Sequence, residues 1–445
     1  SLSAEANSRF GKKAGGLDLC GVAWALFPSV QLGWVMTNEK WFPKTGAINY
    51  LRLNAGFDMS GNDDISNYAA RTSLSAVRFN YNAIGLQLTN IGNDEIKWET
   101  SRKFNVGLQS FLVNNRIGVD FNFYINKTSD LLTLKTFDNP IGGINNYWTN
   151  GGELQNCGFE LTFTGKPVVS RLWNIELGAT VGHYSNEVKK LPDGDYTTSI
   201  YGDNNILTAV GKPVGLFYGY QTAGVFADDN EARSAGKDGY LYMEDNAGQR
   251  NNFVAGDVHF IDRNNDGIIN DLDKTVIGDP NPDIYGNIFA TVSFRDFSLT
   301  MGWNYSLGND VYNYQRSILN SGSTFYNQQV AEVSHWRYEG QQTAFPRLAY
   351  GDPLGNNRFS DRWIEDGSYL RLKTLNLSYK VPVPGSWTWL QGLTIWAQAE
   401  NLLTFTKYLG SDPEFSIGNG VLYQGIDCGN LAQGRSFSCG VKINL

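Results

Sequence analysis

Hydrophobic and polar residues alternate with a period of two along most of this chain. Over 117–125, IGVDFNFYI, one face takes Ile117, Val119, Phe121, Phe123 and Ile125, and the other takes Gly118, Asp120, Asn122 and Tyr124. Residues 297–306, FSLTMGWNYS, set Phe297, Leu299, Met301, Trp303 and Tyr305 against Ser298, Thr300, Gly302, Asn304 and Ser306. The last nine residues do the same, with Phe437, Cys439, Val441, Ile443 and Leu445 opposite Ser438, Gly440, Lys442 and Asn444. Period two means strand. Strands of about ten residues with one apolar and one polar face suit a wall between lipid and a polar lumen. Glu5, Arg52, Asp120, Glu176 and Lys442 all fall on the polar side.

The pattern predicts twelve such strands, beginning near Leu2, Ser29, Tyr50, Phe104, Ile117, Cys157, Trp173, Asn287, Phe297, Tyr369, Leu393 and Phe437. Short turns are expected at VNNR (113–116), GKPVVSR (165–171), FRDF (294–297) and VPVPGSW (381–387). Long excursions are expected at about 58–103, 127–156, 185–284, 307–368 and 406–436. Short turns alternating with long loops point to an all-β fold, an antiparallel transmembrane β-barrel. A soluble sandwich or propeller also alternates. It would have to place all five long loops on one side and expose uncharged aromatic faces on nearly every strand.

Composition sharpens this. The 445 residues carry a net charge of −8, with 13% aromatic residues, 49 glycines and no basic run, which argues against nucleic acid. No stretch approaches the ~18 apolar residues of a membrane helix, which leaves a strand-built barrel open. The opening SLSAEANSRFG has neither the positive nor the apolar region of a signal peptide. It alternates like a strand, so the chain is expected to be a piece of something larger. Four cysteines (Cys20, Cys157, Cys428, Cys439) show no C-x-x-C spacing. Cys157 and Cys439 read as small apolar side chains, and Cys20 and Cys428 fall in loops where they could pair.

The most specific chemistry is DRNNDGIINDLD, 262–273. Asp262, Asn264 and Asp266 alternate, Gly267 follows where a calcium loop turns sharply, and Asp273 closes the twelfth place. The expected ligands of a structural Ca2+ are side-chain oxygens of Asp262, Asn264, Asp266 and Asp273, the carbonyl of Ile268, and Asn270 directly or through water. A metal-free turn rich in Asp, Asn and Gly is the alternative. Candidate substrate contacts are Tyr147 and Trp148, and Trp336, Arg337 and Tyr338 in HWRY, where aromatic faces and a guanidinium lie in loops. Loop packing is the plainer use of any one of them. No catalytic constellation appears: His183, His259 and His335 are isolated, and no Ser-His-Asp or H-E-x-x-H arrangement is present. Some twelve-stranded outer-membrane barrels are calcium-dependent lipases, but that activity needs a nucleophilic serine with a histidine on one strand face, and no such pair is seen.

Several stretches in order resemble one family. They are SRFGKK (8–13) with FPSVQLGW (27–34), IKWETSRKFNVGL (96–108), GGELQNCGFEL (151–161), FYGYQTAGVF (217–226), GDVHFIDRNNDGIINDLDKTVIGDPNPD (256–283), RWIEDGSYLRLKTLNLSY (362–379) and AENLLTFTKYLGSDPE (399–414). Together they resemble the SusC/RagA-like branch of TonB-dependent outer-membrane transporters. Cys157 stands where that family more often has a basic residue, and Leu445 where it usually ends in an aromatic. The resemblance implies a 22-stranded barrel with an N-terminal plug, driven by TonB and capped by a SusD-like lipoprotein; large barrels of this class are plugged. The twelve strands then match its C-terminal part. The plug and first strands belong to the same precursor or a separate chain, and the cargo is glycan or peptide. The alternative is a stand-alone twelve-stranded porin or surface-binding barrel in the bacterial outer membrane.

Overall fold

The computed structural model describes residues 2–10, 22–43, 46–65, 69–80, 83–93, 95–141, 144–201, 205–237, 239–244, 249–384, 390–415, 417–418 and 420–444. Two compact units emerge, Ser1–Asp195 with Ala209–Pro213, and Tyr196–Thr208 with Val214–Leu445. The first holds seven long strands: β1 Leu2–Phe10, β2 Val22–Val35, β3 Ile48–Asn62, β4 Glu99–Leu112, β5 Ile117–Ser129, β6 Glu153–Val169 and β7 Trp173–Lys190. The second holds five: β8 Ile284–Phe294, β9 Phe297–Leu307, β10 Tyr369–Val381, β11 Gly392–Thr406 and β12 Ser436–Asn444. Each of the twelve expected strands is present. Within each unit, neighbours in sequence pair antiparallel.

The side-chain alternation sets the register. In the first unit one row across six strands runs Trp34, Leu53, Leu108, Phe121, Leu161, Val181. The adjacent row runs Arg52, Gln109, Asp120, Thr162, Thr180. The second unit repeats the scheme with Val292, Leu299, Leu377, Ala397, Cys439 beside Thr291, Thr300, Asn376, Gln398, Ser438. Slipping one strand by a residue would interleave the two sets, so the register is over-determined. Polar rows are cross-linked by hydroxyl pairs such as Thr162–Thr180 at 3.0 Å and Ser293–Ser298 at 3.1 Å. Apolar rows stay exposed, with Leu32, Phe104, Leu377, Ile395 and Val441 all well accessible. An apolar face of that extent belongs in lipid.

Strand ends differ from the sequence reading by up to seven residues. GKPVVSR is mostly strand: β6 runs on to Val169, with a register shift between Gly165 and Val168. Pro167 lacks the N–H for a ladder bond, so the strand tolerates it where the ladder is broken. The remaining turn is 170–172. Loops 63–98, 130–152, 191–283, 308–368 and 407–435 fall between strands as expected.

The long loops have cores of their own. In the first unit Ile65, Ala69, Ala70 and Ile96 are buried, with Leu132 and Trp148 packed on them. In the second, one cluster gathers Phe226, Leu241, Phe253, Val258, Phe260 and Ile269, and another Ile206, Phe217, Tyr312, Phe359, Trp363 and Ile426. Cys157, Cys428 and Cys439 are free thiols, and Cys20 lies outside the described residues.

Candidate functional site

Residues 262–273 fold as a series of side-chain-to-backbone turns. Asp262 accepts from the Gly267 N–H at 2.7 Å and the Asp266 N–H at 3.3 Å. Asn264 accepts from the Asp266 N–H at 2.9 Å, and Asp266 from the Ile268 N–H at 2.7 Å. Gly267 takes φ +83°, a conformation in which a Cβ is strained. Ile268–Ile269 then pairs in parallel with Tyr242 and Met243, tying the loop to the buried cluster. Asn270 caps the short turn Asp271–Asp273. Asp273 is fully buried, accepting from the Arg263 and Asn270 N–H groups, both at 2.9 Å.

All six predicted metal residues therefore share one loop. Their donor set is oxygen only, with Asp, Asn, Asp and a carbonyl at alternate positions, which fits a hard cation such as Ca2+. Among the described residues, no three His, Cys, Asp or Glu side chains converge on a point. Both Asp273 oxygens already serve backbone donors, so bidentate closure from this position would cost those bonds. Beside the loop, Asp271 meets Lys274 at 2.8 Å, and the Lys274 ammonium lies 5.5 Å from the Tyr220 ring centre. The Lys274 hydrogen bond holds the Asp271 carboxyl below its ordinary range, and burial pushes the Tyr220 hydroxyl up to about 12.

The candidate substrate contacts fall in both units. Tyr147 and Trp148 lie on the hairpin strand Ile144–Asn150, half-buried. Trp148 packs on the small core of the first unit, and its carbonyl accepts from Asn93 at 3.1 Å. In the second unit the Trp336 indole donates to the Ala227 carbonyl at 3.0 Å and covers Gly256, where a Cβ would come within 2.5 Å of the ring. Trp148 and Trp336 are thus engaged in packing. Arg337 and Tyr338 remain at the surface, with Arg337 donating to the Val333 carbonyl at 2.7 Å.

Sequence reading missed the ion pairs that hold these loops. Asp257, fully buried, is gripped by Arg347 at 2.7 Å and Asn356 at 2.9 Å. Arg371, buried in β10, pairs with Asp412 and, at 2.9 Å, with Glu414, which also meets Lys373 at 2.9 Å. The partners are distant in sequence, 41 residues apart for Arg371 and Asp412, so no short-range pattern signals them. Near HWRY, burial pushes Glu332 up to about 7 and Arg362 down to about 10.

Comparison with known proteins places this architecture. The family described as TonB dependent receptor-like, beta-barrel matches residues 4–402. TonB-dependent receptor P3 of Formosa agariphila is 30% identical over 441 residues, covering 95% of this chain and 42% of that protein. SusC of Bacteroides thetaiotaomicron is 25% identical, covering 95% of this chain and 40% of its own length. The RagAB peptide transporter structure superposes with TM-score 0.77 at 23% identity, over 98% of this chain and 44% of that one. The chain spans about 42% of the length of the first of these relatives. These relatives are receptors and transporters, and a barrel with lipid-facing apolar rows belongs in the outer membrane. This chain belongs to the TonB-dependent receptor β-barrel family, in its SusC/RagA-like branch.

Proposed function

We propose that this chain is the C-terminal part of the barrel of an outer-membrane importer that takes up glycan or peptide with energy from TonB. The carrying observation is that relatives align along 95% of the chain yet continue well beyond it. The rest of the importer, a plug and further strands, would come from the same precursor or a separate chain. TonB would act through that plug.

A SusD-like lipoprotein would cap the loops. In support, the segment 325–350 exposes Phe325 at 90%, Tyr326 at 79%, Val330 at 84% and Tyr350 at 73%. Phe325 and Tyr350 stack at 4.7 Å, so the exposed surface is ordered by its own contacts. Contiguous apolar surface of this kind marks protein interfaces. A Ca2+ ion in 262–273, held chiefly by Asp262, Asn264, Asp266 and Ile268, would stiffen the loop that leads to β8. The test is extraction of the intact protein in mild detergent, together with uptake in cells with and without TonB. Co-purification of a SusD-like lipoprotein and TonB-dependent uptake are expected. Passive, TonB-independent permeation without a partner would favour the stand-alone porin.

A further inference from the structure

The polar face of the wall carries one residue that breaks its own pattern. In the second unit a cross-strand row runs Ser293, Ser298, Ser378, Trp396, Gly440. An indole stands among hydroxyls and a glycine, on the face that turns away from lipid. The glycine gives it room: a Cβ on Gly440 would come within 2.7 Å of the ring. The next row sets Lys380, Thr394 and Lys442 side by side. Asn376, Ser378, Thr394, Trp396, Gln398 and Lys442 together line a groove of about 310 Å³.

The indole and ammonium donors at the groove are unspent, while the Ser378 hydroxyl donates to the Ser298 carbonyl at 3.4 Å. Among the described residues, neither the Trp396 indole N–H nor either ammonium has a hydrogen-bond or ion-pair partner. Asn376 donates to Gln398 at 3.2 Å, and Gln398 donates onward to Glu400 at 2.7 Å. Glu400, the nearest acid along β11, is two rows beyond Trp396 and is also held by Ser436 at 2.9 Å. Asp296, on the β8–β9 turn, meets Lys380 through its main-chain carbonyl, which accepts the Lys380 N–H at 2.8 Å. The groove thus combines an aromatic face, amides, hydroxyls and the Lys442 ammonium, and Lys380, across Thr394 in the row of Lys442, adds a second positive charge at its border.

We propose that this groove binds an acidic saccharide, with a sugar ring on the Trp396 face and its carboxylate or sulfate between Lys380 and Lys442. The hydroxyls meet Asn376, Ser378, Thr394 and Gln398. An aromatic face accepts the apolar side of a sugar ring, and amides and hydroxyls read its oxygens. The paired ammoniums select for negative charge, since charge-assisted bonds are the strong ones. The assignment rests on the importer reading only in taking the polar face as the lumen.

The intact transporter in detergent is titrated with trigalacturonate, its neutral methyl ester, a monosulfated galactose disaccharide and triglutamate, followed by indole fluorescence and calorimetry. Trigalacturonate is expected to bind about tenfold or more tighter than its ester, the scale of one charged hydrogen bond. The sulfated disaccharide tells whether sulfate serves as well as carboxylate. K380Q/K442Q should erase the preference over the ester, and Trp396→Ala should weaken both sugars and remove the fluorescence change. Equal binding of the ester, triglutamate as tight as trigalacturonate, or wild-type binding by K380Q/K442Q would overturn the assignment. The lysine variant decides the matter alone if Trp396→Ala does not assemble. TonB-dependent uptake is measured in the same strains. Uptake without binding refutes the groove and spares the importer; binding without uptake does the reverse.

Discussion

At the scale of single residues, the acids of 262–273 face a charge problem. Asp262, Asp266 and Asp273 lie within one short loop, and their oxygens lean on backbone N–H groups. Those dipoles offset part of the mutual repulsion, and a cation would offset the rest. The expected outcome of Asp262→Ala/Asp266→Ala is faster proteolysis of the loop in calcium, close to the rate of wild type in chelator. Equal resistance in both proteins, with and without calcium, would sink the idea of a calcium staple. The spacing of the six candidates was legible in the sequence, because turn geometry depends on neighbours a few residues apart. The burial of Asp273 was not, since it depends on packing against residues far along the chain.

At the scale of elements, β10 and the loop 407–435 are joined by the Arg371, Asp412 and Glu414 cluster. Removing Arg371 would leave two acids without their buried partner, a loss of roughly 3–5 kcal/mol for such pairs. Arg371→Ala is therefore expected to raise amide exchange in 407–435 while leaving β10 to β12 paired. Burial pushes the Asp412 carboxyl up, but the Arg371 hydrogen bond and the Gln433 and Glu414 N–H groups outweigh it and hold it low. A depressed carboxyl stabilises above its unfolded value and loses that contribution as pH falls through the folded one. Protection of the loop should thus persist down to about pH 4, the ordinary aspartate value, and fade below it. Exchange that is indifferent to pH between 2 and 7 would contradict the latch. All twelve strands could be read from alternation, because each has one lipid face and one polar face. The ion pairs could not, because they link positions that no short-range pattern connects.

At the scale of the whole molecule, the open question is what closes the wall. β1 pairs with β2 through nine residues, Leu2↔Val30 to Phe10↔Val22. Among the described residues, its other edge has no partner strand. Lipid supplies no hydrogen bonds, so an unpaired strand edge in a membrane wall is costly and must be covered. In a stand-alone porin the cover would be β12, the last strand of the chain. In the importer it would be a strand from outside the chain, as relatives more than twice as long allow. Cysteine pairs decide between them, since a disulfide forms only when Cα atoms approach within about 7 Å. Single cysteines at Ala4 and Ala6 are each combined with cysteines at Ser438, Gly440 and Lys442 in the intact protein, and oxidised in the membrane. No pair is expected to cross-link, and the amides of Leu2–Asn7 should still be protected from exchange by the outside strand. Efficient cross-linking of any one pair would mean that twelve strands close on themselves, and the importer reading would fall with it.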